Sequence, residues 1–224
     1  ERYDTKMDYL SDTMKFPARA YVKYNGFLVL ASYDQETDDL FVSSKSDPTG
    51  PYTQWAKDIL NQHFEKHLGT KSAMIQYSKE HNVTFVFECI DPKHDPHIIE
   101  YDHPDMILLD IINNQIEFSK YDYEMLSAVA KFLELNYKEL AYEFTSWNDF
   151  LNFEINARNP GYKYKDSYIE GFVIEDANGK MLKLKSFFYQ EWKFLRGITN
   201  KVRHCGSIED TTVLYTPTMN YYYA

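Results

Sequence analysis

Apolar residues recur along this chain with two periods, alternate positions in some stretches and every third or fourth in others, and turn-forming residues separate them. Residues 19–33 (RAYVKYNGFLVLASY) read as two short strands around a turn at Tyr24-Asn25-Gly26, because Asn-Gly is a strong hairpin signal. A third strand is expected at 41–44, followed by the loop Asp47-Pro48-Thr49-Gly50-Pro51. Residues 53–68 place Trp55, Ile59, Phe64 and Leu68 at helical spacing, with Thr53 as the cap, and 71–81 predict a second helix. The run 83–90 (VTFVFECI) predicts a strand with Val83, Phe85 and Phe87 on one face and Thr84, Val86 and Glu88 on the other. Further strands are expected at 98–101 and 106–112, and helices at 123–135, 146–157 and 187–198. Residues 168–175 and 180–184 predict a hairpin across Ala177-Asn178-Gly179. The acidic stretch 134–143 reads as one face of a helix or its flank. Strands and helices interleaved in this way indicate an α+β fold with mostly antiparallel sheets.

Composition narrows the class. A chain of 224 residues can bury one substantial core, or one domain with a small appendage. An aromatic content of 17% supports β-rich structure. A net charge of −10 argues against a generic electrostatic nucleic-acid binder but is compatible with an enzyme whose cleft is locally basic. Cys89 and Cys205 have neither zinc nor CxxC spacing; reduced thiols in an intracellular, cytoplasmic protein are expected, with a disulfide between the two as the alternative. No apolar run reaches the length of a membrane span, and no signal peptide opens the sequence. A first residue of Glu rather than Met suggests a processed chain or a fragment.

Several short elements carry candidate chemistry. Lys23-Tyr24-Asn25-Gly26 places a lysine at a strand end before a tight glycine turn, where its amine can enter a cleft between sheets. A lysine is normally protonated at neutral pH, and desolvation or cationic neighbours convert it into a nucleophile. An exposed hairpin lysine is the plainer alternative. Glu88 is a carboxylate in an apolar strand, suited to gripping a ribose hydroxyl, or else an outward-facing strand residue. Glu170-Gly171-Phe172-Val173-Ile174 opens an apolar strand with a carboxylate able to hold a divalent cation or its water, next to a glycine that lets a ligand approach the backbone. Lys183 and Lys185 share a strand face, and a shared anion such as phosphate explains the pair best; an exposed amphipathic strand explains it as well. Tyr189 lies within reach of the same region. His94, His97 and His103 read as a polar loop more readily than as a metal site. Tyr121, Tyr123 and Trp147 are stacking candidates, with core packing as the default.

The order of these elements resembles the covalent nucleotidyltransferase superfamily of polynucleotide ligases and mRNA capping enzymes: KYNG at Lys23–Gly26, FVFE at Phe85–Glu88, EGFVI at Glu170–Ile174 and KLK at Lys183–Lys185. Within it, the chain is most similar to ATP-dependent RNA ligases of the bacteriophage tRNA-repair and fungal tRNA ligase types. The last motif continues as Lys-Leu-Lys-Ser-Phe-Phe-Tyr, Ser44-Lys45-Ser46 follows Lys23, and Pro92 precedes His97-Ile98-Ile99-Glu100-Tyr101. Asn25 stands where many ligases carry Asp, and His97 where the family commonly has Arg.

The resemblance implies a nucleotidyltransferase (ATP-grasp-like) core of antiparallel sheets, with flanking helices around a nucleotide cleft. It implies an adenylyltransferase domain over residues 1–200 and a tail or appended region from 201. ATP and Mg2+ or Mn2+ are the implied cofactors, and RNA ends, including cleaved tRNA, the implied partners. Lys23 would form lysyl-AMP, with Asn25 and Gly26 completing its loop. Glu88 would bind the adenosine ribose. Glu170, with Gly171, would organise the metal beside Lys23. Lys183 and Lys185 would hold the α-phosphate, Tyr189 would assist adenylylation, and Lys45 would contact phosphates. Lys6, paired with Arg2, would contact the triphosphate. An mRNA capping guanylyltransferase or DNA ligase would use Lys23 in the same way. A catalytically inactive RNA-binding relative would lack part of this set.

Overall fold

The computed structural model describes residues 6–205, and within them the chain forms two four-stranded antiparallel sheets with six helices. In chain order these are α1 (Met7–Thr13), β1 (Ala18–Lys23), β2 (Phe27–Asp34), β3 (Asp39–Ser44), α2 (Pro51–Lys66), α3 (Thr70–His81), β4 (Val83–Ile90) and β5 (Asp105–Asn113). They continue as α4 (Tyr123–Phe132), β6 (Leu140–Phe144), α5 (Trp147–Ala157), β7 (Gly171–Glu175), β8 (Met181–Lys185) and α6 (Phe187–Cys205). One sheet runs β6-β1-β7-β8 and the other β3-β2-β4-β5.

Alternation along each strand gives each sheet a packed face. On β4, Val83, Phe85 and Phe87 are fully buried, as the sequence pattern requires. They meet Val29 and Ala31 of β2, Leu108 and Ile111 of β5, and the apolar faces of α2, α3 and α4. Burial of each Phe side chain contributes roughly 1.5–3 kcal/mol. The second core sets Ala20, Val22, Phe172, Ile174 and Leu184 against α1 and against Phe150 and Phe153 of α5. The opposite faces carry the polar residues: Lys23 and Lys185 in one sheet, Glu88 and Asp110 in the other.

The two sheets are tied by a charge network. Lys138 Nζ lies 2.8 Å from Asp110 Oδ1, and Lys120 Nζ lies 3.1 Å from the same oxygen and 2.9 Å from Glu175. Asp110 belongs to β5 and Glu175 to β7, so the lysines bridge one sheet to the other. The Lys138 ammonium also sits 4.5 Å from the centre of the Tyr21 ring.

Several sequence expectations are corrected. β1 and β2 do not pair with each other; they belong to different sheets, and Tyr24-Asn25-Gly26 carries the chain between them. Non-local contacts of Gly26 with β4 outweigh the local hairpin tendency. Residues 98–101 form no strand. Thr53 does not cap α2, which begins at Pro51 after Gly50; its hydroxyl accepts from Ser44 N and donates to the Asp47 carbonyl. The acidic stretch 134–143 ends in the edge strand β6, paired with β1, rather than in a helix. The β7–β8 hairpin forms as expected. Asp176 accepts hydrogen bonds from the backbone N–H groups of Asn178 and Lys180, and Gly179 supplies the positive φ of 77°.

Candidate active site

Three adjacent strands converge on one point. Lys23 on β1 is in register with Gly171 on β7, and Gly171 is in register with Lys185 on β8. Residues opposite each other across an antiparallel pair project to the same face, so the two lysines flank a position with no side chain. The space is closed to any substituent on the other side: a Cβ on Gly171 would lie 2.0 Å from the Leu184 carbonyl oxygen, and its φ of 143° suits glycine. Glu170, immediately before, is 3% exposed and receives both cations. Lys23 Nζ lies 3.0 Å from its Oε2 and Lys185 Nζ 3.2 Å from its Oε1. Lys23 Nζ also donates to the Tyr24 carbonyl at 3.3 Å.

The other sheet supplies Glu88. Its Oε1 accepts from Gly26 N at 2.9 Å, fastening the crossover loop to β4. Burial holds the Glu88 carboxyl above its usual range, while the positive charge of Lys23 and the Gly26 N–H work against that rise. Gly26 is required by close approach, since a Cβ there would lie 2.1 Å from the Cys89 carbonyl oxygen. Asn25, 5% exposed, accepts from Ile99 N at 3.4 Å through Oδ1 and donates its own backbone N–H to the Tyr101 hydroxyl at 2.9 Å. Burial pushes the Tyr101 phenol up to about 12, so it stays protonated. Tyr189 on α6 is buried beside Asn25, Glu170 and Lys23; burial and the Glu170 charge raise its phenol. The Lys185 ammonium lies 4.6 Å from the centre of the Tyr189 ring.

The structure thus brings together Lys23, Asn25, Gly26, Glu88, Glu170, Gly171, Lys185 and Tyr189. The other sequence candidates lie outside the cluster. Lys183 shares the face of Lys185 but is exposed, opposite Val173, and forms no ion pair among the described residues. Lys45 is exposed, its backbone N–H bonded to the Leu28 carbonyl just beyond Gly26. Lys6 is exposed at the start of α1, and Arg2 lies outside the described residues. Sequence reasoning saw Tyr101 only as part of a resemblance and missed its bond to Asn25; no local pattern signals a contact 76 residues away.

In the histidine loop, His94 is held by its neighbours. His94 stacks on Trp55 with ring centroids 5.0 Å apart, and its Nδ1 lies 2.7 Å from Asp91. Among the described residues no group of three His, Cys, Asp or Glu side chains is arranged to hold a metal ion. No helix among them is long and apolar enough to cross a membrane. Cys89 is buried and its thiol is raised well above its usual range by burial. A cavity of about 810 Å³ beside Tyr142, Phe153 and Tyr162 contains none of the clustered residues.

Comparisons with known proteins bear on the family and the fold. The family described as RNA ligase matches residues 1–196. Among solved structures, the Naegleria gruberi RNA ligase with PPi is similar at 16% identity and a TM-score of 0.62, covering 85% of this chain and 56% of that one. A variant of the same ligase with ATP and Mn gives 15% identity and a TM-score of 0.64, with the same coverage of 85% and 56%. A putative ATP-dependent DNA ligase from Aquifex aeolicus gives 15% identity and a TM-score of 0.55 over 82% of this chain and 47% of that one. These likenesses establish a shared fold, and the chain spans little more than half the length of the Naegleria enzyme. No curated protein sequence matches.

Proposed function

The chain belongs to the RNA ligase family, and from that premise we propose that it is an ATP-dependent RNA ligase whose Lys23 becomes covalently adenylylated. The observation that carries this reading is the Lys23–Glu170–Lys185 cluster, with Glu88 facing it from the second sheet. In the first step Lys23 Nζ gives up a proton and its Glu170 contact and attacks the α-phosphorus of ATP. A P–N bond forms, the bond from the α-phosphorus to the bridging oxygen breaks, and pyrophosphate leaves. Glu170 Oε2, 3.0 Å from the amine, is placed to hold Lys23 in position and to take part in its proton loss. Lys185 is positioned to meet charge building on the nonbridging oxygens. Glu88 is offered to the ribose, and Tyr189 with Asn25 steadies the loop behind the nucleophile.

The donor set suits a divalent ion such as Mg2+ or Mn2+ only in part: Glu170 provides one buried carboxylate, and water and substrate phosphates would complete the coordination. When bound, such an ion supplies positive charge at the phosphates. Transfer of AMP to a 5′-phosphate RNA end and displacement by a 3′-hydroxyl complete the sealing reaction. With substrate bound, Lys183 joins Lys185 at the α-phosphate, Lys45 contacts phosphates and Lys6 the triphosphate, and a cleaved tRNA is the RNA proposed. A cytoplasmic location is part of this proposal.

The test is label transfer. With α-labelled ATP and Mg2+ or Mn2+, label is expected on the denatured chain, absent with labelled GTP and absent in Lys23→Ala. No label from either nucleotide in a folded preparation overturns the proposal; label from GTP alone would indicate a guanylyltransferase.

A further inference from the structure

Beside the Lys23 cluster, and not used by it, lies a groove of about 620 Å³ with aromatic walls. Tyr168 and Phe188 stack face to face, ring centroids 4.0 Å apart and planes 10° from parallel. Trp192, one turn further along α6, is 51% exposed, and its ring lies 6.1 Å from that of Phe188. Lys163 Nζ sits 4.8 Å from the centre of the Tyr168 ring. Ile98, Ile99, Glu100 and Asp166 also line the groove.

Each wall is tethered to a residue of the cluster. Tyr168 stands two positions before Glu170, and Phe188 immediately precedes Tyr189. Ile99 donates its backbone N–H to Asn25. The groove is therefore built on the same strand and helix segments that position the clustered residues. Its charge pattern also departs from the rest of the chain. Against a net charge of −10, α6 carries Lys193, Arg196, Lys201 and Arg203 with Glu191 as its one carboxylate. Arg196 is near enough to Tyr189 for its charge to act on the phenol.

The exposed ring of Trp192, at the end of the Tyr168–Phe188 stack and on the α6 face shared by Arg196 and Arg203, suits single-stranded nucleic acid, in which bases stack and phosphates track the positive charge. The two carboxylates in the groove disfavour phosphate there and leave the interior to bases. We propose that the Tyr168–Phe188–Trp192 groove is the stacking site for unpaired bases at the RNA end to be joined, with the backbone following the basic side of α6. This inference rests on the ligase reading for its substrate.

The experiment measures binding of a 3′-fluorescein, 5′-phosphorylated single-stranded RNA dodecamer to the full chain without ATP. Tyr168→Ala and Trp192→Ala are each expected to weaken binding by about tenfold, while Trp192→Phe retains most of it. An RNA duplex of equal length is expected to compete poorly. No binding by the parent chain, affinity unchanged from the parent in both alanine variants, or equal competition by duplex overturns the proposal. So does a Trp192 already shielded from acrylamide in the RNA-free protein and unaffected by RNA, which would mean that another part of the polypeptide covers the groove. Label transfer on the same preparation separates the two readings: RNA binding without label removes the ligase reading and leaves the groove, and label without RNA binding does the reverse.

Discussion

Lys23 Nζ and Glu170 Oε2 face each other at 3.0 Å across the register that pairs Lys23 with Gly171, and the carboxylate is 3% exposed. The same carboxylate neutralises Lys185 through its other oxygen. One buried anion therefore keeps two cations together, and under the proposed function nucleotide phosphates would compete with it for them.

Removal of that anion should be costly. Glu170→Ala leaves two partly buried ammonium groups close together. A destabilisation of about 2 kcal/mol is expected, below the roughly 3–5 kcal/mol for breaking a fully buried pair because both lysines keep some solvent access. Urea unfolding at pH 7 measures it. Label transfer should fall by about 100-fold or more in Glu170→Ala, and also in Glu170→Gln, which keeps the shape but not the charge.

Gly26→Ala and Gly171→Ala test the close approaches. An added Cβ would meet a backbone carbonyl oxygen at 2.1 Å in the first case and 2.0 Å in the second. Each should cost about 2 kcal/mol or more and abolish label transfer, because the loop or strand holding the lysine must move. Gly179→Ala, at positive φ but with open space around it, should cost only about 1 kcal/mol and leave label transfer intact.

The network of Asp110, Lys120, Lys138 and Glu175 should behave as a clasp between the sheets. Asp110→Ala leaves two lysines with one carboxylate, and a loss of about 3 kcal/mol is expected in urea. The double variant Asp110→Ala, Lys120→Met should recover part of it, giving a clear coupling energy in the double-mutant cycle. Additive single effects would mean that the residues act separately.

Glu88 sets a pH signature. Its folded-state carboxyl titrates above the ordinary value, so the native protein holds more protons than the unfolded chain between the two values. Its contribution to stability is most favourable below the unfolded value and is lost as pH rises through the folded one. Glu88→Gln removes the charge and retains an acceptor for Gly26 N. The variant should therefore gain thermal stability over the parent at pH 7 and show little gain at pH 4. An equal change at both values would exclude the burial of this charge as the cause. Label transfer should still fall, since the ribose contact proposed for Glu88 is weakened.

By itself the sequence determined what depends on neighbours in the chain. The burial of Phe85 and Phe87 with Glu88 turned away, the β7–β8 hairpin and the shared face of Lys183 and Lys185 all follow from the period of a strand and the demands of a turn. The identities and order of Lys23, Glu88, Glu170 and Lys185 were equally legible. Tertiary structure decided what depends on distant partners. It sent Tyr24-Asn25-Gly26 across to a second sheet, because Gly26 packs on the Cys89 carbonyl and bonds Glu88. It joined Glu170 to Lys23 and Lys185 while leaving Lys183 exposed. It made an edge strand from residues 140–144 by pairing them with β1, stacked Tyr168 on Phe188, and gathered Asp110, Lys120, Lys138 and Glu175 into one network. Strand period and turn chemistry act over a few residues, whereas close backbone approach and charge pairing act between segments that only the folded chain brings together.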